Sequence, residues 1–227
     1  MKACLTVIVP CYNEEATIQE LLMRVLKQDS VRELIVINDG SSDESKNVIN
    51  SVDDPRIILI NNEKNLGKGA SVRKALNIVS SDFVLIQDAD LEYSPEEYPR
   101  LLKPLWEGYA DAVFGSRFLT FESRRALYFW HSMCNGFLTL FSNALTNIYL
   151  TDMETCYKVI RVEFARKLDL KENRFGLEPE ITAKLAKMDA RIYEVAISYK
   201  GRTYQEGKKI TWKDGLSAAR CIIKYNI

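Results

Sequence analysis

Three carboxylates stand close together in the segment VLIQDADLEY: Asp88, Asp90 and Glu92, at i, i+2 and i+4 directly after an apolar run. In an extended chain alternate side chains point the same way, so this spacing would direct all three acids to one side. Oxygen ligands so arranged suit a hard divalent ion, Mg2+ or Mn2+, whose remaining positions are filled by substrate phosphates. A bare D-x-D is common by chance and can serve only to cap a following helix. Its position favours the metal reading, because acids in register past a buried strand repel one another unless a cation neutralises them. A further acid, Asp39, ends the run LIVIN and opens the turn DGSSD; taken alone it reads as turn chemistry. VPCYNEE taken alone reads as a strand end, stopped by Pro10, with Asn13 capping the next helix.

Such acids need a scaffold that gathers separate segments. Short apolar, β-branched runs at Leu5 to Val9, Leu34 to Ile37, Ile57 to Ile60, Phe83 to Ile86 and Ala112 to Phe114 are bounded by turn residues or acids and predict buried strands. Between them helical patterns run over Ala16 to Leu26, Ser45 to Val52, Ala70 to Val79 and Glu96 to Trp106, the last entered through Ser94 and Pro95. This alternation predicts an α/β fold with a mostly parallel sheet flanked by helices. Ligands of such sheets bind beyond the carboxyl ends of the strands, where the polar motifs fall. After Phe114 the alternation breaks down. A helical stretch over Ser123 to Tyr149, a strand near Cys156 to Ile160, a helix over Pro179 to Met188, a strand near Ile192 to Tyr199 and a helix over Trp212 to Tyr225 follow. We read one domain, residues 1–118 serving the donor side and 119–227 the acceptor side.

Composition narrows the function classes. With 227 residues, 47% of them hydrophobic and 27% charged, the chain can bury a core without staples. Lys plus Arg and Asp plus Glu are equal at 31 each, so no overall positive charge attracts a nucleic-acid backbone, and nucleic acid is not an expected partner. The five cysteines form no C-x-x-C pair, which argues against a zinc site and for a reduced, cytoplasmic setting. The segment MKACLTVIVPCYNEE reads as a first strand rather than a signal peptide.

Taken together, VPCYNE, INDGSSDES, QDADLEY, GSRF and GRTYQEGKK occur in an order that resembles the family 2 glycosyltransferases of GT-A fold, and among them the polyprenyl-phosphate (dolichyl-phosphate) mannosyl- and glucosyltransferases. The resemblance implies a nucleotide-sugar site in which Pro10, Tyr12 and Glu14 contact the nucleotide and Ile37 and Asp39 lie beside the base. It places Asp88, Ala89, Asp90 and Glu92 around metal and diphosphate, with Asp88, Asp90 and Glu92 as metal ligands. Arg117 lies near the reacting phosphates, and Arg202 and Lys208 clamp phosphate oxygens. Three departures mark a distinct subgroup: Asn38 where an acid is frequent, Glu92 where Gln is frequent, and TDMETCYK, Asp152 to Lys158, in place of a pattern nearer to DxxSGF.

The resemblance implies transfer of a hexose, from GDP-mannose or UDP-glucose, to a polyprenyl phosphate with inversion. An ionised phosphate attacks without a general base, so the enzyme positions it and stabilises the departing diphosphate. A hydroxyl acceptor would need a base, and Glu178 in FGLEPE is the candidate, although Glu178, Pro179 and Glu180 also read as a plain helix start. A non-catalytic nucleotide-sugar-binding protein is the other alternative. From Leu127 to Leu150 no Asp, Glu, Lys or Arg occurs, yet His131, Ser132, Asn135, Thr139, Ser142, Asn143 and Thr146 recur with helical period. That leaves Phe129, Trp130, Met133, Phe137, Phe141, Leu145 and Ile148 as an apolar face, which could pack on the sheet; with Arg124 and Arg125 at its entrance it could instead meet a bilayer as a peripheral membrane surface.

Overall fold

Apolar runs without polar alternation bury both faces of a strand, and in α/β proteins they form the parallel centre of the sheet. Strand β1, Leu5–Cys11, is such a run, and it pairs in parallel with β2, Val31–Asn38, on one side and β4, Phe83–Ile86, on the other. The computed structural model describes residues 3–119, 125, 128–203, 205–206 and 212–227. Strand β3, Ile57–Asn61, extends the sheet beyond β2. With β5, Ala112–Ser116, β6, Lys158–Arg161, and β7, Ile192–Ala196, the described residues form a seven-stranded sheet of order β3-β2-β1-β4-β6-β5-β7.

The α/β expectation holds, and its strands lie where the apolar runs placed them. One neighbour differs from simple alternation: β6, from the second half, inserts between β4 and β5 and runs antiparallel to both. Its amino end therefore lies with the carboxyl ends of its neighbours. The turn that precedes it is thereby delivered to the edge of the sheet where the acids gather.

Helix α1, Ile18–Leu26, buries Ile18, Leu21, Leu22 and Val25, one face at helical spacing. Helices α2, Ser45–Asn50, and α3, Lys68–Leu76, follow, α3 beginning before the predicted Ala70. A 3-10 turn at Pro95–Glu97 leads into α4, Tyr98–Trp106. Then come α5, Phe129–Thr146, the short α6, Val162–Ala165, α7, Leu177–Lys187, and α8, Trp212–Asn226.

Helix α5 resolves the question of its apolar face. It buries Leu138, Thr139 and Ser142. Phe129, Trp130, Met133, Phe137 and Leu140 are exposed, as are Leu216 and Ile223 on α8, which packs against α5. The first part of the apolar face is thus exposed, whereas Phe141 and Ile148 pack against the core. Thr139 turns inward because its hydroxyl accepts a hydrogen bond from the Met153 N–H at 3.2 Å, beside the turn that enters β6. Arg124 lies outside the described residues. Among the described residues no helix is long and apolar enough to cross a membrane.

Candidate active site

Parallel strands end together, so the sequence after each of β1, β2, β4 and β5 opens onto one edge, and the loops there are laced by side chains. Asn13, after β1, accepts from the Ser42 N–H at 2.8 Å, and the Glu14 N–H donates to Ser45 Oγ at 2.9 Å. Asp39, just past β2, is buried. Its carboxylate accepts from Asn62 Nδ2 at 2.7 Å, the Leu66 N–H at 3.0 Å and the Gly67 N–H at 2.8 Å. Asp39 therefore anchors the loop that opens α3. That loop needs its glycines: Gly67 has φ +97°, and a Cβ on Gly67 or Gly69 would lie 2.2 Å from the carbonyl oxygens of Asn173 and Glu172 respectively.

The anchored loop delivers Lys68, a residue the sequence reading passed over. Its ammonium lies 2.8 Å from Asp88 Oδ1, 2.9 Å from Glu178 Oε1 and 3.3 Å from Cys156 Sγ. Burial opposes its charge, yet Asp88, Cys156 and Glu178 hold it well above the ordinary lysine range. Burial likewise works to raise Asp88, and the Lys68 charge outweighs it and brings the carboxyl below its usual value. The available signal was NLGKG between a strand and a helix, the glycine-rich setting that presents backbone N–H groups and a lysine to phosphates.

The three acids after β4 do not share one face. The chain from Asp88 to Glu92 is a turn, with Leu91 at φ +61°, so the alternation of an extended strand is lost. Asp88 faces Lys68. Asp90 lies 3.6 Å from Arg202 Nη2, and its Oδ1 accepts from the Glu92 N–H at 3.1 Å. Glu92 turns to the second half of the chain, accepting from the Tyr199 hydroxyl at 2.5 Å and the Arg202 N–H at 2.6 Å. Among the described residues no three Asp, Glu, His or Cys side chains form a group that could hold a metal ion. What the structure does show is each of the first two carboxylates beside a cation, Asp88 at Lys68 and Asp90 at Arg202.

Arg202 joins both halves. Its Nη2 lies 2.9 Å from Glu14 Oε2, and its Nε donates to the Asp90 carbonyl at 3.2 Å. Arg117, after β5, is gripped by Asp152: Nε to Oδ2 and Nη2 to Oδ1, both at 2.7 Å. Its Nη2 also donates to Asn135 of α5 at 3.2 Å, and its guanidinium lies 5.1 Å from the centre of the Tyr199 ring. Burial opposes its charge; Tyr93 and Asp152 raise its pKa. Asp152 is thus the reason TDMETCYK belongs to the site. Because this pair is enclosed, Asp152→Ala, which strands a buried guanidinium, should lower the unfolding free energy by about 3–5 kcal/mol in a urea titration. A loss of under 1 kcal/mol would show the pair to be solvated.

The remaining assignments divide. Tyr12 is exposed at the rim and Pro10 half-buried. Ile37 is fully buried in β2. Ala89 is buried, and its carbonyl accepts from Thr17 Oγ1 at 2.8 Å. Lys208 lies outside the described residues. Glu180 is structural: it accepts from the N–H groups of Lys171 at 2.7 Å and Glu172 at 2.8 Å and pairs with Lys184 at 2.6 Å. Glu178, two residues earlier on α7, instead enters the site through Lys68. A depression of about 720 Å3, lined by Cys4, Phe83, Trp106 and Arg161, lies at the amino ends of β1 and β4, away from these groups.

The model of the family described as Glycosyl transferase family 2 matches residues 6–168. The chain is 29% identical over 239 residues to an uncharacterized protein of Methanocaldococcus jannaschii, covering 96% of this chain and 97% of the relative. It is 40% identical over 119 residues to an undecaprenyl-phosphate 4-deoxy-4-formamido-L-arabinose transferase of Photorhabdus laumondii, covering 49% of this chain and 36% of that one. It thus spans about a third of the length of that transferase. Among solved structures, glucosyl-3-phosphoglycerate synthase from Mycobacterium tuberculosis, in complex with Mn2+, UDP and glucosyl-3-phosphoglycerate, has a TM-score of 0.72 at 20% identity. That match covers 99% of this chain and 80% of the synthase, a likeness of fold.

Proposed function

The chain belongs to glycosyltransferase family 2, and on that premise we propose that it transfers a hexose from a nucleotide sugar to a polyprenyl phosphate at a membrane surface, with inversion. The observation that carries this reading is the convergence of Lys68, Arg117 and Arg202, from three distant segments, around Asp88 and Asp90. Family membership sets aside the non-catalytic alternative. The undecaprenyl-phosphate transferases among its relatives support the acceptor class.

Asp88 and Asp90 fit a divalent ion of the Mg2+ or Mn2+ kind: two hard oxygen ligands at a strand end, with the other positions left to the donor's diphosphate. Held by Asp88 and Asp90, such an ion would supply Lewis-acid stabilisation of the charge on a departing nucleoside diphosphate. Lys68 and Arg202 hold the two carboxylates in place and add fixed positive charge where phosphates come to lie. Arg117, oriented by Asp152, presents the planar fork that matches phosphate oxygens. An ionised phosphate acceptor attacks in line without surrendering a proton. Helix α5 touches this site through Asn135 on its inner side and turns its exposed aromatic face outward, which suits an acceptor arriving from a bilayer. A hydroxyl acceptor is the second reading, favoured by one observation: the Glu178 carboxylate stands within the site.

The test is calorimetric titration with UDP-glucose and GDP-mannose in Mn2+, in Mg2+ and in EDTA. One of the donors should bind, with affinity reduced at least about tenfold in EDTA, since the ion carries much of the contact to the diphosphate. Undiminished binding in EDTA would remove the ion from the reading, and binding of neither donor would remove the donor assignment.

A further inference from the structure

The turn between α5 and β6, residues 152–156, is fixed from every side. The Lys158 ammonium, buried under β6, donates to the carbonyl oxygens of Met153, at 2.8 Å, and Thr155. The Cys156 N–H donates to the Tyr93 hydroxyl at 3.1 Å. Glu194 of β7 accepts from the N–H groups of Thr151 at 2.9 Å and Asp152 at 3.1 Å. Two side chains of this turn reach functional partners, Asp152 at Arg117 and Cys156 at Lys68. Between them stands Glu154, whose Oε1 is enclosed and has no hydrogen-bond partner among the described residues. A buried carboxyl oxygen left unmatched on so rigid a turn calls for a ligand that completes it.

We propose that Glu154 is a specificity-determining residue that hydrogen-bonds a hydroxyl group of the sugar being transferred. The proposal rests on the reading of the site as a nucleotide-sugar site. Its position supports the sugar: on the turn it stands between Asp152, which grips Arg117, and Cys156, which meets the Lys68 that is tied to Asp88. That is the interval between the diphosphate end and the acceptor end. The groups facing Glu154 are the Glu178 carboxylate on α7, Lys158 on β6, Arg117 after β5, and Asp152 on its own turn. A protonated carboxyl supplies no positive charge to hold an anionic phosphate, whereas a sugar hydroxyl can both accept from it and donate to it. Burial, and then the Glu178 charge, push the Glu154 carboxyl up to about 8, so near neutral pH it carries a proton and can donate. As pH rises through that value the donor is lost and a negative charge takes its place.

The parent protein, Glu154→Gln and Glu154→Ala are compared by titration with UDP, UDP-glucose, GDP and GDP-mannose, each with Mn2+. The bare nucleotide should bind all three proteins alike. The gain in affinity that the sugar adds should persist in Glu154→Gln, whose amide also donates, and fall about ten- to hundredfold in Glu154→Ala. Between about pH 7 and about pH 9 that gain should fade in the parent and not in Glu154→Gln. A sugar gain in Glu154→Ala equal to the parent's overturns the proposal, as does weakened binding of the bare nucleotide, which would mark a structural role. A Glu154→Gln protein as impaired as Glu154→Ala overturns it too. In each case the donor reading itself still stands. Failure of the parent to bind any of the four compounds overturns the donor reading and this proposal together.

Discussion

Asp90→Ala should lower turnover by about a thousandfold or more, while its thermal midpoint stays within about 4 °C of the parent. The asymmetry follows from its surroundings. Asp90 is partly exposed, and Arg202, its cationic neighbour, keeps Glu14 as a partner when the carboxylate is removed. Little folding energy is lost. On the proposed reading the chemistry fares differently, because the substitution would remove one of two ligands for a divalent ion where leaving-group charge develops, and preorganised charge at such a point accounts for about 3–4 kcal/mol per group. The Asp88→Ala protein is the less clean comparison, since it also leaves the buried Lys68 ammonium with Glu178 as its one remaining carboxylate partner. Initial rates with saturating donor, alongside differential scanning calorimetry, make the check. An Asp90→Ala enzyme within tenfold of the parent would refute the placing of the ion.

The scaffold of this site was legible because its strands are unambiguous. LTVIVPC and VRELIVIN bury nearly every residue, and sequences of that kind have few options besides the middle of a parallel sheet. The motifs at their ends then had to share an edge. What the sequence concealed depends on contacts distant along the chain. The insertion of β6 between β4 and β5 follows from no local pattern in KVIR, a strand of four residues, yet it places Asp152, Glu154 and Cys156 in the site. The Asp88-Asp90-Glu92 spacing misled because Leu91 adopts a left-handed conformation, which turns Glu92 towards Tyr199. Lys68 was overlooked because its role arises only when Asp39 draws the glycine loop inward. On α5 the helical period was visible, but which face turns inward was decided by hydrogen bonds of Thr139 and Asn135 to groups outside the helix.

The acceptor class turns on a second comparison: Arg202→Ala should lose about a hundredfold or more in kcat/KM for transfer to undecaprenyl phosphate in liposomes, whereas Glu178→Gln should stay within about tenfold of the parent. The Arg202 guanidinium, carried by the segment after β7, reaches Glu14 after β1 and Asp90 after β4. Its removal takes positive charge away from Glu14 and Asp90, where on the proposed reading a diphosphate and a phosphate acceptor approach each other, so both substrates meet added repulsion. Arg202→Lys should recover the charge but not the fork, and so part of the rate. The Glu178→Gln substitution, by contrast, keeps the side chain's size and a carbonyl acceptor for Lys68, which still holds Asp88. It removes a proton acceptor that an already ionised phosphate does not use. A sugar-hydroxyl acceptor reverses the order, because the nucleophile must then shed a proton, and general-base assistance is ordinarily about 10²- to 10⁴-fold. Both variants are assayed with undecaprenyl phosphate and with soluble sugars, with and without vesicles. Collapse of Glu178→Gln at an intact thermal midpoint, together with transfer to a sugar hydroxyl by the parent, would transfer the enzyme to the second reading and make Glu178 its base.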